Sequence, residues 1–326
     1  MEDLAERLRA AQYELVTASP YRNGWVRGAH ILTMAIMKRR DYEVSVIDVY
    51  SGRAFFWGEG VCRALRFIGK NYVLTLRGGN LPAFARRWPG RVRRLLRSAA
   101  VVTTPSDYLL EQMKPYGNNL RLLPNPLDLS RYEFRLRQRP RPSLSWLRSF
   151  HATYNPSLAP RVMALLRRDF PDVQLIMIGP DKGDGSLQLT EQTAARLGVA
   201  RRMAVPGGVF KSDVPYWLNK GDIFLNTTNV DNTPISVREA MACGLCVVST
   251  NAGGIPYLLE HEYDALLVSP DDPEAMAAAV RRLLTEPGLA ERISRQARQK
   301  VERFDWSIIL PQWETLLSRV AEKCQT

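Results

Sequence analysis

Residues 231–256 read DNTPISVREAMACGLCVVSTNAGGIP, and this run decides the fold of the second half of the chain. Thr233 is a natural N-cap, and Pro234 suits the first helical position, where its missing N–H costs nothing. The expected helix covers 234–242, Gly244 stops it, and 246–249 is a strand. A helix that leaves one strand and feeds the next is the crossover unit of a parallel sheet.

The same alternation extends to both sides. Strands are expected at 144–147, 173–178, 203–205, 223–227 and 265–268, with helices at 157–168, 187–197, 214–220 and 273–285 between or after them. The first half repeats the pattern. Strands are expected at 13–18, 42–49, 72–76 and 99–103, and helices at 29–40, 60–68 and 106–114, the last capped by Ser106, and 120–123 leads into Pro124-Asn125-Pro126. Residues 19–28 form a loop, and 131–142, with five arginines and two prolines, reads as an exposed linker. The predicted fold class is therefore α/β, with two Rossmann-like parallel-sheet domains facing each other across a cleft. The expected boundaries are 1–141, 142–305, and a carboxy-terminal helix, 306–326, packing back towards the first domain.

The helix start at 234 carries roughly half a positive charge, so its exposed N–H groups can hold a diphosphate. Asp231 lies just before it and Glu239 lies within it. Two carboxylates beside an anion site suit hydroxyls, which donate the hydrogen bonds that carboxylates accept. Taken alone, an aspartate and a glutamate eight residues apart are equally what a capped surface helix with a solvated glutamate would show.

The surrounding string adds to this. From Asp231 through Glu239 to Gly253 and Gly254, it resembles the E-x7-E, E-A-M-A-x-G and G-G elements of family 4 glycosyltransferases, in order and in spacing. Weaker elements are similar too: Arg148 after a strand, the Gly179 turn, the turn at Gly208, Val209 and Phe210, and Asn125 between the halves. The resemblance implies a GT-B fold and sugar transfer from a nucleotide diphosphate, with retention and without a metal or other cofactor. It implies that Glu239 binds ribose hydroxyls, Asp231 faces the donor sugar, and Arg148 neutralises the leaving diphosphate. Asn232, Thr233, Pro234, Ile235 and Ser236 supply the helix start, and Gly24 lies on a loop that adds further amides. Arg77, Gly78 and Gly79 occupy the strand-loop place in the first domain. No D-x-D pair is available to hold a divalent ion on a diphosphate.

Three residues depart from that pattern. Asp231 is one methylene shorter than the usual glutamate, Thr153 stands where a lysine is usual, and Arg77 where the family often has a histidine. Lys182 or Lys211 could supply the missing charge. These departures keep two rivals open: a non-catalytic nucleotide-sugar or glycan-binding protein, and a nucleotide-sugar epimerase of the same fold. The donor is expected to be UDP- or GDP-linked.

The net charge of +12 is lopsided. All of the excess lies before residue 143, and 61–106 contains no acid, which favours an anionic partner. Arg86, Arg87, Arg91, Arg93, Arg94 and Arg97 crowd one stretch around Trp88, with Arg91, Arg93, Arg94 and Arg97 on the face opposite Val92, Leu95 and Leu96. An anionic membrane and a lipid-linked or glycan acceptor fit this basic face, whereas nucleic acid leaves the 231–254 string unexplained. The longest uncharged run, 240–259, contains Asn251, Gly253, Gly254 and Pro256 and reads as no membrane span. With scattered cysteines and no leader pattern, the expected location is cytoplasmic, at most peripheral at the inner face of a membrane.

Overall fold

The structure is a computed structural model that describes residues 2–18, 21 and 24–322. Two compact units emerge: residues 1–125 with 306–326, and residues 126–305.

The first unit carries a four-stranded parallel sheet in the order β1 (Val44–Val49), β2 (Asn71–Leu76), β3 (Val101–Thr104), β4 (Leu120–Leu122). Its strands are short, and the two central ones, β2 and β3, are buried along almost their whole length, as a sheet covered on both faces requires. One face holds Leu74, Leu76 and Val102 against helix Arg53–Phe67. The other carries Val73 with Leu4, Leu8, Trp306, Ile309 and Trp313, so the last helix, Trp306–Glu322, packs with the first helix on this sheet. Asn71 donates to the carbonyl of Val320 at 3.2 Å.

Several expectations shift here. Residues 13–18 form no strand, and Tyr13 and Val16 are 38% and 40% exposed. The helix expected at 29–40 runs over Gly24–Met37, while residues 19, 20, 22 and 23 of the expected loop lie outside the described residues. Helix Arg53–Phe67 starts seven residues before its expected beginning, because its N-cap is Gly52 at φ +70, which offers no side-chain capping signal.

The second unit holds six parallel strands: β5 (Ser143–Leu147), β6 (Gln174–Ile178), β7 (Met203–Gly207), β8 (Ile223–Asn226), β9 (Cys246–Thr250) and β10 (Leu266–Val268). Their order is β10-β9-β8-β5-β6-β7. The chain builds outwards from β5 through β7, then returns to the other side of β5 with β8. This is the doubly wound order, and ligands bind outside the carboxyl ends of the two strands where it reverses, here β5 and β8. Side chains alternate accordingly. Ile223, Leu225, Cys246 and Val248 face one core, and Phe224 and Val247 face the other, with helix Ile235–Ala242.

The arginine-rich stretch corrects an expectation. Its arginines at 131, 135, 139 and 141 are exposed, but the stretch is anchored rather than free: Tyr132 sits in the same core as Val237, Ala240 and Met241. Arg137 is 3% exposed. Its guanidinium donates to Asp222, to Asn219 Oδ1 at 3.0 Å, to the Gly221 carbonyl at 3.1 Å and to the Cys243 carbonyl that ends helix Ile235–Ala242. Arg135 and Arg141 also bind Asp222. A buried guanidinium is tolerable only when its donors are matched in this way. Arg137→Ala is therefore expected to cost about 3 kcal/mol, because it leaves buried acceptors unpaired. A urea midpoint equal to wild type would contradict it.

Candidate functional site

A concavity of about 230 Å³ lies over the carboxyl ends of β5 and β6 and is lined by Arg148, Gly179, Val209, Ile235, Ser236 and Glu239, among others. Six sequence-predicted residues thus come together on elements far apart in the chain. Gly179 makes the crossing possible. Its φ is +147, and a Cβ there would stand 1.7 Å from the Arg148 carbonyl oxygen, so only glycine lets the β6 turn close on the residue after β5.

Helix Ile235–Ala242 points its start at this space. Pro234 (φ −65, ψ 121) is its N-cap rather than its first residue, and no side chain caps it, which corrects the expected role of Thr233. The hydroxyls of Ser236 and Thr233 are buried without a hydrogen-bond partner among the described residues, and so is Arg148 Nε. Unpaired buried donors at a helix start are costly and suit an anion.

The glycine pair has a packing reason. A Cβ on Gly253 would lie 2.3 Å from the Asp231 carbonyl oxygen, and one on Gly254 2.1 Å from that of Asn232. The Gly254 N–H donates to the Asp231 carbonyl at 2.7 Å. The turn after β9 therefore lies directly on the 231–232 backbone. Asp231 Oδ1 accepts from the Asn232 N–H at 2.8 Å, and its Oδ2 is ion-paired with Arg148 Nη2. The Arg148 guanidinium also stacks over Tyr154, 4.5 Å from the ring centre, and burial lowers its pKa.

Glu239 is 7% exposed. Burial raises its carboxyl pKa, while the Tyr132 hydroxyl and the charges of Arg238, Lys211 and Arg148 act the other way. Tyr132 donates to Glu239 Oε1 at 2.8 Å across 107 residues of sequence. Arg238 is fully buried, stacks 5.1 Å from the Phe304 ring centre, and is pushed down to about 10 by burial. Sequence reasoning missed Tyr132. An aromatic inside an arginine-rich stretch is its only local sign.

Other predicted residues lie elsewhere. Phe210 is 79% exposed and outside the concavity lining. Thr153 sits in a short turn, and its carbonyl accepts from the Asn229 N–H at 2.8 Å. Lys182 is exposed, whereas the charge of Lys211 is felt at Glu239. In the first unit, Arg77 follows β2 and reaches Asp48 at 3.0 Å and Asn125, with Gly78 (φ +82) and Gly79 after it. Gly24 opens a helix. Arg91 is half-buried, pairs with Glu59 at 2.9 Å and stacks on Phe56, while Arg86, Arg87, Arg93, Arg94 and Arg97 are exposed.

The chain was compared with known proteins. Residues 141–300 match the family described as glycosyl transferases group 1. This segment is a glycosyl transferase group 1 domain. Among curated relatives, the chain is 27% identical over 251 residues to the GDP-mannose-dependent alpha-(1-6)-phosphatidylinositol monomannoside mannosyltransferase of Mycolicibacterium smegmatis, covering 71% of this chain and 63% of that protein. It is 26% identical over 267 residues to the D-inositol 3-phosphate glycosyltransferase of Paenarthrobacter aurescens, covering 77% and 64%. The chain thus spans less than two thirds of the length of these relatives. Anabaena HepE, solved with UDP, superposes with a TM-score of 0.76 at 20% identity, covering 97% of this chain and 89% of HepE. Sucrose-phosphate synthase of Thermosynechococcus elongatus gives 0.75 at 18%, covering 95% and 82%. The group 1 domain and its partner unit therefore have the GT-B fold of two parallel-sheet α/β domains.

Because burial raises the Glu239 pKa, the folded state binds that proton more tightly than the unfolded chain does. Ionised Glu239 thus weakens the fold at neutral pH, and the deficit shrinks as pH falls through the raised pKa towards the ordinary 4.5. Glu239→Gln keeps an acceptor for Tyr132. It is expected to melt above wild type at neutral pH, with the gap closing on acidification. A lower melting temperature than wild type at neutral pH would refute this.

Proposed function

We propose that the protein is a retaining glycosyltransferase of hexosyltransferase type, moving a sugar from a UDP- or GDP-linked donor to a glycan or lipid-linked acceptor. One observation carries the proposal: Glu239, the unpaired Ser236 hydroxyl and the Arg148 guanidinium line one concavity at the strand switch point, over a helix start. The group 1 match and the nucleotide-sugar enzymes among the relatives support it. The epimerase and non-catalytic readings rest on no comparable observation.

In this reading the amides of 235–236 and Arg148 hold the diphosphate, Glu239 accepts from the ribose hydroxyls, and Asp231 lies on the sugar side of Arg148. The bond from the anomeric carbon to the β-phosphate oxygen breaks, and its electron pair leaves with that oxygen. The acceptor hydroxyl oxygen bonds to the same face of the anomeric carbon, and its proton passes to the departing phosphate. Arg148 and the helix dipole stabilise the charge that develops there. Arg77 and Asn125 belong, in this reading, to the acceptor-side unit.

Thermal melts with UDP, GDP, ADP and their sugar conjugates provide the test. One nucleotide class is expected to stabilise the wild type, and Glu239→Ala to lose most of that shift. Equal shifts in both proteins would sink the role of Glu239, and absence of glycosylated product and free nucleoside diphosphate with every donor would sink the transferase.

A second contact concerns the acceptor. Arg86, Arg87, Arg93, Arg94 and Arg97 are exposed beside Trp88, itself 43% exposed, and we assign this face to an anionic membrane surface in envelope glycolipid or polysaccharide synthesis. Among the described residues no helix is long and apolar enough to cross a membrane. Each arginine near such a surface is worth about 1 kcal/mol. Vesicles of anionic lipid should retain the wild type at low salt and release it when these five arginines become glutamine. Equal retention of both proteins would rule the face out.

A further inference from the structure

We propose that Tyr132 is the positioning residue for Glu239, holding one carboxylate oxygen so that the other presents a fixed acceptor to the ribose of the bound nucleotide. The inference rests on the reading of the concavity as a nucleotide-sugar site. Tyr132 lies on the chain that enters the second unit, 5% exposed, in the core formed by Leu127, Leu129, Val237, Ala240 and Met241. Its ring is one more apolar filler of that core. Its hydroxyl is different.

A phenol buried there loses its hydration and is worth keeping only if it finds an acceptor. The acceptor is Glu239 Oε1, at 2.8 Å. A core needing only volume would be served by phenylalanine, and a glutamate needing only a counter-charge already has Arg238, Lys211 and Arg148 around it. What Tyr132 adds is direction. The three cations attract the carboxylate as a whole, whereas a hydrogen bond fixes one oxygen and therefore the carboxylate plane. Glu239 lines the concavity, so the orientation of its second oxygen sets which hydroxyl geometry it accepts.

The bond also favours the ionised carboxylate, since an O–H donor stabilises the anion. Every group known to act on this pair has a stated charge. Arg238, Lys211 and Arg148 are cationic, Arg131 acts on the Tyr132 side, and Cys243 is pushed up to about 12 by burial and stays neutral at working pH. Removing the hydroxyl therefore raises the Glu239 pKa further and leaves the acceptor unoriented. Selectivity for the ribose hydroxyls falls, and nucleotide binding is lost at a higher pH than in the wild type.

The test is a cycle of wild type, Tyr132→Phe, Glu239→Gln and the double variant. Dissociation constants are measured for UDP and GDP, and for their 2′-deoxy and 3′-deoxy counterparts, across the acid range. The wild type is expected to prefer the ribonucleotide. Tyr132→Phe should lose about tenfold of that preference, the size of one hydrogen bond to a charged group, and its binding should fade at higher pH. In the Glu239→Gln background the same change should have no effect on the acid limb. Tyr132→Met supplies the comparison should the phenylalanine variant not fold. If wild type binds with ribose preference and the Tyr132 variants keep both the preference and the pH profile, Tyr132 is structural and the inference falls alone. If no nucleoside diphosphate binds the wild type, or binding shows no ribose preference, the role of Glu239 falls and takes this inference with it.

Discussion

Keeping a carboxylate charged below the surface is the constraint that organises the second unit. Glu239 is nearly sealed from water, and an isolated anion there would take up a proton. The surroundings supply what water would have given. Arg238 stands beside it on the same helix, Tyr132 donates to it from a distant segment, and Lys211 and Arg148 add charge from two other loops. Each helper needs support in its turn. Tyr132 needs the segment before β5 packed against the helix, Arg238 needs the Phe304 ring, and Arg148 needs the close crossing that Gly179 permits. Much of the architecture near the switch point follows from that one buried charge.

The placement of these groups is a product of topology. Parallel strands bring their carboxyl ends to one edge, and the strand order reverses at β5 and β8. At that edge a helix start, a guanidinium and a carboxylate line one concavity. None of these is specific alone. In the proposed reading their chemistry complements a diphosphate joined to a polyhydroxylated group, the ligand class that also fits the group 1 match.

What could be read from sequence follows the range of the interactions concerned. The crossover after β8, the helix through Glu239, the stop at Gly244 and the glycine pair all lie within one run of 26 residues, and local pattern exposes them. The alternation of strand and helix is equally local, and nine of the ten strands fall close to where periodicity puts them, although 13–18 forms none. Arg137 was misread because composition treats arginine as a surface residue. Nothing nearby in sequence announces Asp222, more than eighty residues away from Arg137, and Glu59, the partner of the half-buried Arg91, precedes the acid-free stretch that contains it. Tyr132 was invisible for the same reason. Its partner is 107 residues away, and only the folded chain joins them.

The Asp222 cluster has a bearing on where the second unit begins. The segment resembling glycosyl transferases group 1 starts at residue 141, yet the arginines at 135 and 137 and the tyrosine at 132 come earlier and are fastened to it. A chain cut at 141 would carry the motifs from Arg148 to Gly254. It would also expose Val237 and Met241, strip Asp222 of two counter-charges, and leave the Cys243 carbonyl and Glu239 without their partners. The natural edge of this unit is Pro126, fifteen residues upstream of the stretch that sequence likeness delimits.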